Sequence, residues 1–194
     1  MERIPVPHYS QRLLLRAETT RERVFRYAED TGWPLIRQEG DPDLHETFRA
    51  DFSAGEHAVF RYVEDFMSRQ RYVYVESLAD GVVDRAGTLV ERGLRPERLD
   101  ALAAACDRAE GVEHGWALVR LGVAAPERSV PEVFDRIVAG FRHPDPEVRR
   151  LALWASTYSP WAEYVPHIRE VSRTDTVEAV RNRANDLLAV HAAG

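Results

Sequence analysis

The strongest constraint on this chain is a pattern that returns along its second half. Asp145-Pro146-Glu147-Val148-Arg149-Arg150-Leu151-Ala152 is followed by Glu178-Ala179-Val180-Arg181-Asn182-Arg183-Ala184, so that Val148 aligns with Val180, 32 positions later. Glu113 to Ala125 is a weaker copy upstream. Each copy carries apolar residues at helical spacing. A self-similar period of roughly 30 to 35 residues, built from two helices, describes a stack in which each pair buries its apolar face on the next.

Six helices are expected in this half. They run from about Pro96 to Ala109, from about Val112 to Ala124, from near Val130, from Asp145, from about Trp161 to Val171, and from about Thr176 to His191. Leu99, Leu102, Ala103 and Cys106 point inward in the first; Val148, Leu151, Ala152 and Ala155 do so in the fourth. Asp145 suits an N-cap, and Pro146 suits the next position, where no N–H is needed.

The run His143 to Ala152 resembles the second-helix signature of bacterial HEAT repeats, and the resemblance covers roughly residues 110–190. It implies a right-handed stack of helix pairs that holds protein partners on a concave face. With about three pairs the array is short, and the preceding module is expected to cap it. The resemblance also implies that Arg149 and Arg181, which occupy equivalent places, pair with an acidic cap of a neighbouring repeat. The alternative is an arginine row, with Arg150, that faces a partner.

Residues 1–94 read as a small α/β module and residues 95–194 as the helical half, so the fold class is α+β. Residues 12–17 form a short strand. Thr19 and Glu22 have capping-box spacing before a helix through Val24, Phe25 and Ala28, closed by Gly32. Strands follow at Trp33–Glu39, Leu44–Phe52, His57–Glu64 and Gln70–Glu76, then a helix from Leu78 to about Arg92. In Leu44–Phe52 the alternation of Leu44, Phe48, Ala50 and Phe52 is marred by Glu46. The order β-α-β-β-β-β-α suits a mostly antiparallel sheet with helices on one face. Gly93-Leu94-Arg95-Pro96 is the expected boundary, glycine ending one helix and proline opening the next.

The search for chemistry is short. There is no Gly-rich phosphate loop, no Gly-x-Ser-x-Gly elbow and no His-Glu-x-x-His motif, and the seven histidines show no metal-ligand spacing. Cys106, the single cysteine, lies on an apolar helix face and reads as a small buried hydrophobe. No catalytic, cofactor-binding or metal residue is expected, and the chain is not expected to be an enzyme. All 26 basic residues are arginine, which points to a GC-rich, bacterial source. Net charge is −6, and neither half is basic, so nucleic-acid binding is disfavoured. No apolar run reaches membrane-spanning length and no signal peptide is visible, so a cytoplasmic location is expected.

The remaining signal is aromatic. Phe60, Tyr62, Phe66, Tyr72 and Tyr74 alternate with valines, making both faces of one hairpin apolar. Trp154, Tyr158, Trp161 and Tyr164 cluster around Ser159-Pro160. Core packing explains both clusters; the alternative is a binding platform. The expected function is a non-catalytic protein-interaction module or adaptor. Its candidate contact residues are Tyr62, Tyr72, Tyr74, Arg149, Arg150, Arg181 and Trp161, and its partner is another protein. Two alternatives stand beside it: an immunity or antitoxin protein that blocks a toxin, and a nucleic-acid binder using an arginine-lined concave face.

Overall fold

A computed structural model describes residues 8–79 and 81–193. The chain forms two compact units, residues 1–97 and 98–194. No helix among the described residues is long and apolar enough to cross a membrane.

The first unit is an antiparallel sheet with two helices. Its elements are β1 (His8–Tyr9), β2 (Leu13–Leu14), α1 (Arg21–Asp30), β3 (Leu35–Glu39), β4 (Phe48–Ser53), β5 (Ala58–Asp65), β6 (Gln70–Ser77) and α2 (Val82–Leu94). The strands lie in the order β1-β6-β5-β4-β3, with β2 also on β6. Register sets the core: Phe52 faces Phe60 and Phe60 faces Val75, while Ala50 faces Tyr62 and Tyr62 faces Val73. These residues bury one sheet face beneath Val24 and Ala28 of α1 and Ala86, Val90 and Leu94 of α2. Each large aliphatic or aromatic side chain so buried contributes roughly 1.5–3 kcal/mol.

Four local expectations are corrected. The cap of α1 is Thr20, whose hydroxyl accepts the Arg23 N–H, while Thr19 is buried one residue earlier. The expected strand Leu44–Phe52 begins only at Phe48; Pro42–Leu44 is a 3-10 turn and His45 takes a left-handed φ of 61°. Glu46, the misfit in the alternation, instead accepts the Asp41 N–H and closes this turn. Gly93 does not end α2. It lies inside the helix, where any Cβ would collide with the Tyr27 ring, and the left-handed stop is Arg95 at φ 49°. Pro96 opens no helix: it precedes Glu97, whose N–H donates to the Leu14 carbonyl, and the next helix starts at Leu99.

The second unit is a stack of helices: α3 (Leu99–Arg108), α4 (Gly111–Val123), α5 (Pro131–Gly140), α6 (Pro146–Ala155), α7 (Val165–Thr174) and α8 (Glu178–Ala193). They pack as α3 on α4, α5 on α6 and α7 on α8, and the second members pack in turn, α4 on α6 and α6 on α8. Leu118, Leu121, Ile137, Leu151, Leu153 and Ile168 are fully enclosed between them. At Gly122 a Cβ would strike the Ala155 carbonyl, so α4 and α6 meet backbone to backbone. Bidentate Arg136–Asp107 ties α5 to α3, and Arg142–Glu170 ties the end of α5 to α7.

Candidate interaction site

A broad concavity in the first unit follows from how α1 sits on the sheet. Val24 and Ala28 point into the core, so the neighbouring helical positions Arg21, Phe25 and Glu29 fall on the helix flank. Gly32, at φ +74°, turns the chain back, and Trp33 enters the core 5.2 Å from the Phe60 ring. Pro34 and Leu35 then start the edge strand. Between this strand and the flank of α1 lies an open groove of about 710 Å³. Its floor is Phe25, Trp33, Pro34, Leu35 and Phe52, with Phe25 set edge-on to Phe52 at 5.1 Å. Glu22, Arg26 and Glu29 form its charged rim.

One end of the groove is held by Arg21. Its Nε donates to Glu64 Oε1 at 2.6 Å, and its guanidinium lies 4.0 Å from the centroid of the Phe48 ring. Tyr62 donates its hydroxyl proton to the same carboxylate oxygen at 2.7 Å. Burial pushes the Glu64 carboxyl up, but these two hydrogen bonds outweigh it and hold the group below its ordinary range. The network therefore fixes the start of α1 over the end of β5 without leaving a reactive acid.

The other wall is unusual. All five residues of β3 are exposed, including Leu35 at 45% and Ile36 at 58%. Consecutive apolar residues on an edge strand are a liability for a soluble sheet. A register shift between Leu35 and Arg37 follows from a bulge at this point. Beyond it, Arg37 carries charge on the face away from α1, where it meets Asp51 at 3.1 Å.

The seven sequence candidates are not brought together. Tyr62 is fully buried under α1, and Trp161 is buried with its indole N–H donated to the Glu127 carbonyl. Both are corrected from contact residues to packing residues: the alternation that flagged them does not say which face turns inward. Tyr72 and Tyr74 lie on the sheet face opposite the helices, stacked with centroids 6.3 Å apart and half-buried. Tyr74 accepts from Arg61, which also pairs with Asp51 and Glu76; burial pushes the Tyr72 hydroxyl up to about 12. Arg149 forms a bidentate pair with Asp175, and Arg181 donates to the Asp175 carbonyl at 2.6 Å, so both are held within the fold. Arg150 pairs with Glu147 on its own helix and stays exposed.

Comparison with known proteins found no matching family model, no matching curated protein and no matching solved structure. The site must be read from its own geometry.

The groove is lined by apolar side chains and by exposed charges of both signs, with no histidine, cysteine or hydroxyl. Cys106 is enclosed, and burial drives its thiol up to about 11, where it is a poor nucleophile. His114 approaches the Cys106 carbonyl at 3.0 Å and stacks on His143, which accepts the Asp145 N–H. Among the described residues no cluster of histidine, cysteine or carboxylate side chains is placed to hold a metal ion. Sequence reasoning missed the groove. Its one visible signal was the adjacent pair Leu35-Ile36, which breaks the in-out alternation of a half-buried strand.

Proposed function

We propose that this protein is a non-catalytic binding module that docks a segment of another protein in the groove between α1 and β3. The observation that carries this reading is the aromatic floor of Phe25, Trp33 and Phe52 beside the exposed Leu35 and Ile36. An apolar recess with a polar rim is how proteins recognise one another, and it is more than a lone surface leucine would be. A HEAT-like reading of the helical unit is supported by Arg149 and Arg181, which converge on Asp175 from equivalent places in successive copies. Arg149 and Arg181 spend their donors inside the fold and the net charge is −6, so protein binding has more support than nucleic-acid binding.

The test is affinity purification of the tagged chain from its native host, beside a Leu35→Arg variant. Leu35 lines the groove and is exposed, so its replacement changes stability by less than about 0.5 kcal/mol. A stoichiometric protein retained by the natural chain and lost from the variant is the expected result. A partner held equally by both places the docking surface elsewhere and refutes the groove. Recovery of nucleic acid that leaves with salt refutes the protein-binding reading altogether.

A further inference from the structure

We propose that the ligand is an extended segment of a partner protein that adds as a further strand to the edge of β3, which no strand among the described residues covers, and lays alternate apolar side chains against the flank of α1. This rests on the groove reading above and specifies its occupant. Strand addition needs three things: unpaired backbone groups, a pocket for every second side chain, and an edge left undefended.

The backbone groups are supplied by Leu35. It lies opposite Phe52, and the Ser53 N–H donates to the Pro34 carbonyl at 2.9 Å. In an antiparallel ladder that bond flanks a pair whose own N–H and C=O groups point away from each other. The Leu35 N–H and carbonyl therefore face the open edge. The pocket is supplied by the groove, which lies on the α1 side of that edge. A strand laid beside Leu35 directs every second side chain toward Phe25, Trp33 and Pro34.

The two edges of the sheet are defended differently. At the far edge β6 is partnered by two separate strands, β1 and β2, so no long single edge strand is presented there among the described residues. β3 spans five residues; the bulge at Ile36 and the charged Arg37 and Glu39 defend its second half, which leaves Leu35 as the undefended position. The side chains of Arg37 and Glu39 remain 58% and 49% exposed, on the face away from α1. Arg37 is already held by Asp51, so the exposed Glu39 sets the outward preference, a basic residue opposite it. The ligand chemistry is thus a short β-forming segment, apolar inward and polar outward with a basic residue.

The probe is a set of short peptides selected by display against the full-length chain. The best is resynthesised with each backbone nitrogen methylated in turn. Strand addition predicts that methylation at every second residue weakens binding about tenfold, while methylation at the intervening ones has little effect. On the protein side, Leu35→Ala removes only the side chain, whereas Leu35→Pro also removes the outward N–H. The proline variant binds more weakly than the alanine variant, with the unfolding midpoint of each showing that it is folded. Methylation effects without a two-residue period, on peptides that Leu35→Arg still abolishes, overturn strand addition and leave the groove standing. Peptides indifferent to Leu35→Arg and to Leu35→Ala overturn both readings. The methylation series uses the natural chain, so it decides the matter even if Leu35→Pro fails to fold.

Discussion

Arg149 and Asp175 meet through two parallel hydrogen bonds, Nε to Oδ2 at 2.6 Å and Nη2 to Oδ1 at 2.8 Å. Their side chains keep only 11% and 4% of their surface exposed. Arg149 also donates to the carbonyls of His143 and Pro144, and Asp175 accepts the Val177 N–H. One pair thereby joins the loop before α6, α6 itself and the turn before α8. Arg149→Met strands the Asp175 carboxylate, and the expected cost is about 2–4 kcal/mol. Urea unfolding measures it; a loss below about 1 kcal/mol would mean the pair is worth no more than one on the surface.

The same pair sets an acid dependence. Hydrogen bonding from Arg149 holds the Asp175 carboxyl below its ordinary value, against the opposing effect of burial. The folded pKa is therefore lower than the unfolded one of about 3.9. The pair's contribution is fully present above that unfolded value and is lost as pH falls through the folded one. The stability gap between the natural chain and Arg149→Met narrows on acidification below about pH 4. A gap that stays unchanged as the pH falls further below about 4 would falsify the assignment.

Two buried tyrosines predict opposite effects of the same substitution. Tyr62 gives its hydroxyl proton to Glu64, so Tyr62→Phe costs about 1 kcal/mol. Tyr164 is fully buried between Phe134, Phe141 and Trp161, and its hydroxyl has no hydrogen-bond partner among the described residues. Tyr164→Phe removes a desolvated polar group and stabilises by about 1 kcal/mol. Thermal unfolding of the two variants checks the signs; destabilisation by Tyr164→Phe would disprove the account of that hydroxyl.

Glycine substitutions separate packing from propensity. Gly87 sits inside α2, and a methyl group added there would lie 3.7 Å from Ser10 Cβ, an ordinary contact. Gly87→Ala therefore gains about 0.5–1 kcal/mol of helix stability. Gly122→Ala forces α4 and α6 apart and costs about 1–3 kcal/mol despite the same propensity gain. Equal effects on chemical denaturation would show that α4 and α6 can slide.

Cys106 offers a check on the integrity of the helical unit. It is fully enclosed and its thiol is raised to about 11 by burial first and Asp107 second. Iodoacetamide at mildly alkaline pH is expected to leave the folded chain unmodified and to label it once denatured. Rapid labelling of the native protein would contradict the enclosure.

Local periodicity made much of the fold legible. Val24, Ala28, Leu151 and Ile168 are buried where helical spacing placed them, and the antiparallel strands follow the runs of valine and aromatic residues. The misreadings have a common cause. Leu44 to Phe52 alternates well enough for a strand, yet Asp41 and Glu46 draw its first half into a turn through side-chain bonds that periodicity does not register. Gly93 looks like a stop signal until Tyr27, distant in sequence, is seen against it. The groove depends on strand order, which makes β3 an edge, and no window of sequence contains that order. Tyr62 and Tyr72 are the same residue type in paired strands, and only the placement of α1 decides which is hidden.

The meeting of Gly122 with the Ala155 carbonyl also limits how this chain can change over generations. Every other amino acid carries a Cβ, so no small step in residue size leads away from glycine at that position. A lineage can leave it only together with a compensating shift of α6, two events that must coincide. Gly87 has no such tie. Among descendants of this sequence, position 122 is therefore expected to stand still while position 87 drifts, a contrast set by one interatomic gap and independent of what the groove binds.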